Sequence, residues 1–523
     1  MKVVSSDQMR VIENFAFKKG LNPEILMQNA GSAIAKEIDQ RFGAAETSKV
    51  LFLIGSGNNA KDGLIVSSEL LKKTSYEITI ILLTGTLSDS MGFLEKQGLI
   101  RSDVKIFDID DLENNFRKIS ISLLDINVIV DAIFGIGLSR KIKDPLKSRI
   151  KNIQNLLNED IPCVAVDIPS GVNSDTGAID EIILKADLTL ALGYPKLAHY
   201  TQPAASFCGE IKVLDIGVTD QEMQDVHLNL ITEKFVTSKI PIRDAKANKG
   251  TFGKVMIVGG SDEFIGAPAL AGIAAAKAGA GLITSSIPRS IVSHFTYLFP
   301  EATLIQLPET QNHTDGWIAA RLIHKELGKY SVMLIGCGLG VSRKTSNMVE
   351  NLLLTNIDLP KLVIDADALN ILSNTSNWWS RISNNAILTP HPGEMSRLTQ
   401  LPIEHIQSNR LNVAKEFSYQ WNKTVVLKGA NTVVSTPDGK SWVSEFANPA
   451  LASAGTGDVL AGIITGLLAQ KMSIENAAIL GVYIHGIAGK IFKKQSGLMA
   501  RDLLDHIPVI MDQLRKHRKF PFD

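Results

Sequence analysis

Short apolar runs, separated by glycine-containing turns and amphipathic stretches, recur along the chain. In the first half the runs are Val50–Ile54, Ile78–Leu83, Val128–Val130, Cys163–Val166, Leu188–Leu192 and Ile211–Leu214. They are short, β-branched and not alternating, which predicts strands of a parallel sheet covered on both faces. Leu146, Ile150, Ile153 and Leu157 fall at helical spacing and predict a crossover helix. Around residues 221–245 the rhythm lapses into polar and proline-containing sequence, where a domain boundary is expected. It restarts with Lys254–Val258, Val332–Ile335, Leu362–Ile364, Ala386–Leu388 and Val425–Leu427. Val433–Ser435 and Trp442–Ser444, joined through Pro437-Asp438-Gly439, predict a hairpin. Val459–Leu468 and Ala477–Phe492 predict the last helices. No internal repeat of solenoid length is visible. Both halves therefore read as α/β, with expected boundaries 1–222, a linker 223–245, and 246–523.

With 523 residues the chain is too long for one core, in agreement with two domains. Lys plus Arg equals Asp plus Glu at 54 each, so net charge argues for neither nucleic acid nor an anionic membrane as partner. Cys163, Cys208 and Cys337 are odd in number and match no zinc spacing, which predicts neither a disulfide framework nor a structural zinc. Cys163 and Cys337 lie in apolar runs and are expected to be small buried hydrophobes. The N-terminus lacks an apolar signal-like run, and the most apolar windows are interrupted or too short to span a bilayer. A cytoplasmic protein is expected.

Chemistry enters at the strand ends. The first strand runs into Gly55-Ser56-Gly57-Asn58-Asn59-Ala60-Lys61-Asp62-Gly63, a strand–turn–helix whose backbone amides suit a phosphate-bearing ligand. Two later strands end in Asp131-Ala132-Ile133-Phe134-Gly135-Ile136-Gly137 and Asp167-Ile168-Pro169-Ser170-Gly171. A carboxylate at the carboxyl end of an apolar strand costs desolvation unless it meets a cation, a donor or a substrate. These segments resemble the GxGNNGGDG, VDAIFG and D-x-P-S-G motifs of the NAD(P)H-hydrate epimerase family, over roughly residues 1–220. The resemblance implies a Rossmann-like three-layer domain that interconverts the R and S epimers of NADHX and NADPHX, the hydrated nicotinamide cofactors. It implies that Asn58, Asn59, Ala60, Lys61 and Asp62 contact the hydrate, together with Gly135, Ile136, Gly137, Leu138, Ser139, Arg140 and Lys141. Asn59, Asp131 and Ser170 would hold a potassium ion, and Asp167 would meet the reacting ring as acid or base. The family's Gly-Gly is Ala60-Lys61 here, so a glycine-only backbone angle at either position would alter the loop and weaken this activity. Lys61 reads either as a phosphate contact or as a solvated loop lysine.

The second half carries Asn448-Pro449-Ala450-Leu451-Ala452-Ser453-Ala454-Gly455-Thr456-Gly457-Asp458, leading straight into a helix. Small residues at a helix start leave several N–H groups free to converge on an anion. Asp458 stands where it would exchange a proton beside a phosphoryl group, or would simply cap the helix. Gly336-Cys337-Gly338-Leu339-Gly340, Asp365-Ala366-Asp367, Thr389-Pro390-His391-Pro392-Gly393-Glu394 and Lys428-Gly429-Ala430-Asn431-Thr432 each follow a strand. His391 reads as a ligand contact or a rigid-turn residue, Lys428 as a phosphate ligand or a solvated charge, and Asp365 and Asp367 as site groups or caps. In this order the motifs resemble the NAD(P)H-hydrate dehydratase family, with a ribokinase-like fold over roughly residues 246–515. The resemblance implies that Lys428, Gly429, Ala430, Asn431, Thr432 and Gly457 bind the adenine nucleotide. Ala267, Gly338, His391 and Asp458 would face the hydrate, with ADP and magnesium as the phosphoryl source. A homo-oligomer is expected. The rival is a ribokinase-like small-molecule kinase with a binding or regulatory N-terminal domain.

Overall fold

The computed structural model describes residues 1–516 apart from 44–46, 74, 85, 109–110, 112–115, 124, 139, 159, 220–225, 245, 311–312, 315 and 356–357. The chain divides into two compact units, Met1–Val226 and His227–Asp523.

The first unit is built on a seven-stranded parallel sheet. Its strands are β1 (Ser48–Ile54), β2 (Tyr76–Leu82), β3 (Val104–Phe107), β4 (Val128–Ala132), β5 (Cys163–Val166), β6 (Leu188–Leu192) and β7 (Glu210–Leu214). Their order is β3-β2-β1-β4-β5-β6-β7, so the direction of winding reverses between β1 and β4. Successive strand residues point to opposite faces, and both faces are dry. Val50, Phe52 and Ile54 join one core cluster, whereas Leu51 and Leu53 join another. The absence of alternation in these runs follows from this double burial. The expected crossover helix spans Leu146–Gln154, with Ile150 and Ile153 buried. Strand β3 was not among the expected runs; Lys105 interrupts it at an exposed position.

The second unit contains β8 (Leu228–Leu230), β9 (Lys254–Val258), β10 (Leu282–Pro288), β11 (Thr303–Leu307), β12 (Glu309–Thr310), β13 (His313–Thr314), β14 (Val332–Ile335), β15 (Lys361–Ile364), β16 (Ala386–Leu388), β17 (Thr424–Leu427), β18 (Val433–Ser435) and β19 (Ser441–Val443). Ten of these form one sheet in the order β11-β10-β9-β14-β15-β16-β17-β18-β19-β8, and β12 pairs with β13 separately. From β11 to β17 neighbouring strands are parallel, and the predicted hairpin β18–β19 is antiparallel.

The segment expected as a linker, 223–245, contributes structure to this unit. Leu228–Leu230 adds a parallel edge strand against β19, and Thr232 caps a short helix, Glu233–Thr237, whose Val236 enters the core. Three residues are too few to carry a strand pattern, so only the pairing reveals them. Strand β10 also escaped the pattern, because Thr284, Ser285 and Ser286 put hydroxyls on buried positions, and β11 because Thr303 and Gln306 are exposed polar positions. A final helix, Ala500–Arg515, follows the two expected ones.

Helix Thr456–Ala469 is buried along almost its whole length and packs on helix Gly266–Lys277. A Cβ on Gly462 would lie 2.3 Å from the Ala271 carbonyl oxygen, and one on Gly466 would lie 2.4 Å from that of Ala275. Only hydrogen fits there, so the backbones touch and the start of the helix is anchored over the sheet's carboxyl edge. No described helix is long and apolar enough to cross a membrane.

Candidate active sites

In the first unit, the carboxyl ends of β1, β4, β5 and β6 open onto a cavity of about 730 Å³. It lies where the strand order reverses, the place where open α/β sheets bind ligands. Asn58, Asn59, Lys61, Asp62, Gly135, Ile136, Gly137, Leu138 and Asp167 all line it. Ala60 is buried behind the wall, Arg140 and Lys141 are exposed and do not line it, and Ser139 lies outside the described residues.

Ala60 and Lys61 occupy the first turn of helix Asn58–Leu71, and neither has a positive φ. The glycine-only angle belongs to Gly57, at φ +109°, immediately before the helix. Replacing the family's Gly-Gly by Ala-Lys therefore requires no strained backbone. Lys61 is exposed and lines the cavity, while Asp62 beside it is buried.

The strand-end aspartates have different partners. Asp131 is fully buried; its Oδ2 accepts from the Ser170 N–H at 2.7 Å and its Oδ1 from the Ser170 hydroxyl at 2.6 Å. Ser170 Oγ in turn accepts from the Phe134 N–H at 3.0 Å, and the Asn59 amide donates to the Phe134 carbonyl at 2.9 Å. The three expected potassium ligands thus stand together, linked through one turn. Desolvation pushes the Asp131 carboxyl up to about 6, although its hydrogen bonds oppose the shift.

Asp167, in the left-handed region at φ 66°, is ion-paired with Lys196 and accepts from the Leu192 N–H at 2.9 Å. Lys196 is 1% exposed and also donates to the Leu192 carbonyl at 2.9 Å. His199 Nδ1 accepts from the Lys196 N–H at 3.1 Å, so its Nε2–H donates to the Asp167 carbonyl at 2.9 Å. Burial, helped by Lys196, lowers His199 to about 4 and keeps it neutral. Lys196, His199 and the cavity-lining Glu13 and Arg10 were missed from sequence. The one signal was Gly193-Tyr194-Pro195-Lys196, a polar turn directly after β6.

In the second unit Asp458, Asp365 and Cys337 offer ligand atoms within 4.8 Å of one another. Asp365 does not cap the helix that follows it; its Oδ1 accepts from Lys428 Nζ at 2.6 Å and from the Thr389 hydroxyl at 2.8 Å. Lys428 also lies 3.7 Å from Glu394. Burial alone would lower the Lys428 ammonium, but Asp365 and Glu394 hold it above its ordinary value, so it is a half-buried, paired cation rather than a solvated charge. The helix Thr456–Ala469 has Gly455 at its N-cap and no side-chain capping bond there, so Asp458 does not serve as its cap. Burial, reinforced by Asp365, raises the Asp458 carboxyl to about 6. Cys337, expected as inert filling, is buried and hydrogen-bonds to Asp458.

His391 does serve the turn: its Nδ1 accepts from the Gly393 N–H at 2.9 Å, and its own N–H donates to Glu394 at 2.7 Å. Its ring also faces Lys428, and burial with that charge lowers its pKa. A Cβ on Gly338 would lie 3.0 Å from Ala267 Cβ, and one on Gly457 would lie 3.4 Å from Lys428 Nζ. The loops carrying Gly338, Ala267, His391, Lys428, Gly457 and Asp458 therefore converge. Gly336, at φ +129°, makes this possible, since any Cβ there would collide with the Asp365 carbonyl. In the 428–432 loop, Gly429 and Ala430 are exposed, whereas Asn431 spends its amide on the Ser444 carbonyl at 3.1 Å.

Residues 255–509 match the NAD(P)H-hydrate dehydratase family, and residues 23–198 match the family described as YjeF-related protein N-terminus. The bifunctional NAD(P)H-hydrate repair enzyme Nnr of Moorella thermoacetica is 35% identical over 99% of this chain and 98% of its own length. Its counterpart in Dictyoglomus turgidum is 32% identical over 99% of this chain and 100% of its own length. A crystal structure of the ADP/ATP-dependent NAD(P)H-hydrate dehydratase of Bacillus subtilis, co-crystallised with ATP and magnesium, is 29% identical over 55% of this chain and 98% of that chain, with a TM-score of 0.46. Likeness at this identity along the whole of both chains, with one matching family in each half, shows that this chain belongs to the bifunctional NAD(P)H-hydrate repair enzymes.

Proposed function

We propose that the first cleft epimerises R and S NAD(P)HX, and that the second dehydrates S-NAD(P)HX to NAD(P)H at the expense of ADP. The observation that carries this reading is the second cluster: a half-buried carboxylate, Asp458, beside a half-buried cation, Lys428, at a small-residue helix start. Asp458, with its pKa raised to about 6, is poised to accept the C6 hydroxyl proton near neutral pH. The hydroxyl oxygen then attacks the terminal phosphoryl group of ADP, and AMP leaves. Lys428 and the N–H groups around Gly457 offset the charge on the phosphoryl oxygens. Phosphate is a far better leaving group than hydroxide. The ring-nitrogen lone pair expels it from C6, and loss of a C5 proton restores the dihydropyridine.

Magnesium fits here as a companion of the nucleotide. Asp365 is already held by Lys428, and the third member of the cluster is a thiol whose pKa burial raises well above its usual range. Among the described residues no all-oxygen cage stands there, so Asp365 and Asp458 would hold the ion only together with the nucleotide. It would supply neutralising charge for the phosphoryl group.

Potassium fits the first cleft. Asp131 is a fully buried carboxylate facing only dipoles, and Ser170 Oγ, the Asn59 amide oxygen and the Phe134 carbonyl complete a hard oxygen set. Asp167, charge-balanced by Lys196, is the acid–base group toward the ring. We also propose a cytoplasmic location, supported by the free thiols. A homo-oligomer is supported by the exposed Tyr297, Leu298 and Trp317, and gel filtration tests it.

The decisive experiment supplies mixed R and S NADHX with magnesium and potassium, giving ADP or ATP in separate tubes, and follows NADH absorbance to completion. Full conversion with ADP is expected. A plateau once the S epimer is consumed would remove the epimerase reading. NADH formed only with ATP would overturn the choice of nucleotide, and a stable phosphorylated product would favour a kinase.

A further inference from the structure

One carboxyl oxygen in the first cleft has no partner among the described residues. Asp62 lines the cavity yet is buried, and its Oδ1 meets no hydrogen-bond donor among them. A buried oxygen left unsatisfied costs about 1–3 kcal/mol, more if it is charged. Such an atom is retained where a ligand satisfies it. The same cavity holds a second carboxyl in the opposite condition, Asp167, whose Oδ1 is bound by Lys196 and the Leu192 N–H. Two titratable groups in contrasting environments are the arrangement by which one site keeps an acid and a base at a single pH.

We propose that Asp62 is the proton donor of the first cleft, protonating the ring nitrogen of the hydrate while Asp167 takes the proton of its C6 hydroxyl. This rests on the reading of that cleft as the epimerase site. C6 carries both the hydroxyl and the ring nitrogen, so it can invert through an opened ring. Asp167 removes the hydroxyl proton, and the O–H electron pair becomes the second bond of a C6 carbonyl. The C6–N1 bond breaks with its electrons going to N1, which takes the proton of Asp62. Rotation about C5–C6 turns the other face of the aldehyde toward N1. On closure the N1 lone pair adds to C6, N1 returns its proton to Asp62, and the oxygen recovers its proton from Asp167. No atom or electron is gained, and both carboxyl groups end as they began.

The surroundings keep Asp62 in the donor state. Burial is the main cause of its raised pKa, followed by the negative charges of Asp167 and Glu13, with Lys196 and Lys61 opposing. Glu13 and Arg10 face the cavity from helix Ser6–Lys18, Lys61 from Asp62's own helix, and Asp167 and Lys196 from the ends of β5 and β6. Glu13 is itself raised, mainly by burial.

The test uses the full-length chain without nucleotide, so that only epimerisation proceeds. Purified R-NADHX is converted, and the epimers are separated by chromatography. Asp62→Asn keeps the shape of the side chain but cannot give up a proton. Its kcat above the uncatalysed rate should fall about 10²- to 10⁴-fold, with KM within about threefold. The wild-type rate should decline as pH rises through the Asp62 value, and that limb should vanish in Asp62→Asn but persist in Glu13→Gln. Thermal unfolding of Asp62→Asn should match or exceed wild type, because a neutral amide replaces a neutral acid. An unchanged kcat, or a rise in KM alone, would overturn the proposal and leave Asp62 a binding residue. If Asp167→Asn also epimerises at the wild-type rate, the reading of the cleft itself fails.

Discussion

Replacing Lys196 by Met removes the cation from a buried pair while keeping most of the aliphatic volume. Asp167 would then retain only the Leu192 N–H at its Oδ1, in a position where its side chain is 9% exposed. Breaking a buried pair by deleting one partner costs about 3–5 kcal/mol, because the remaining charge is stranded. In a domain the size of the first unit, each kcal/mol moves Tm by about 2–4 °C, so Lys196→Met should lower the transition by roughly 6–20 °C. Differential scanning calorimetry at pH 7, on Lys196→Met, Asp167→Asn and the double variant, reads this loss. The double variant should recover most of the loss, because no charge is left unpaired. A Lys196→Met transition within about 2 °C of wild type at pH 7, or a double variant less stable than the sum of the singles, would refute the buried-pair account.

Asp458→Asn should reduce dehydration of S-NADHX about 10²- to 10⁴-fold while leaving R/S interconversion intact, as read by NADH formation and by chromatography. In the wild type, dehydratase kcat/KM should fall as pH drops through about 6, because the base must be ionised. Asp131 lies at about 6 when folded against a reference of 3.8, so without potassium the protein should lose stability as pH rises from about 4 to 6. About two units corresponds to about 3 kcal/mol, and thermal scans in potassium against tetramethylammonium should show potassium restoring it. Reverting Ala60-Lys61 to Gly-Gly should bring no gain in epimerase rate and should cost about 1 kcal/mol per residue in the helix. A large gain would mean that the loop had been impaired by the substitution.

The strands were legible because their faces are buried on both sides: Cys163–Val166, Leu188–Leu192, Lys254–Val258, Val332–Ile335 and Ala386–Leu388 stand where the apolar runs predicted them. So were the loops that follow them, since glycines and acids after an apolar run mark the carboxyl edge of a parallel sheet. Lys196 was not legible. It is separated from Asp167 by 29 residues, and an isolated lysine after a strand looks solvated until the fold brings it to a carboxylate. The hydroxyl-rich core strand β10 and the short edge strand β8 escaped for a related reason: pairing and burial, not their own pattern, make them strands.

What the sequence determined by itself was two α/β units, the strand-end motifs and their family, because period, turn chemistry and motif order are local along the chain. Tertiary structure alone decided the electrostatic state of each carboxyl. Asp62, Asp131, Asp167 and Asp458 are the same residue type, the first and last near helix starts, the second at the end of β4 and the third just after β5. Folding leaves one oxygen of Asp62 unpartnered, surrounds Asp131 with dipoles, ties Asp167 to a lysine and sets Asp458 beside Cys337 and a lysine-bound Asp365. A carboxyl's proton affinity depends on desolvation and on charges a few ångströms away, and those neighbours come from segments remote in sequence.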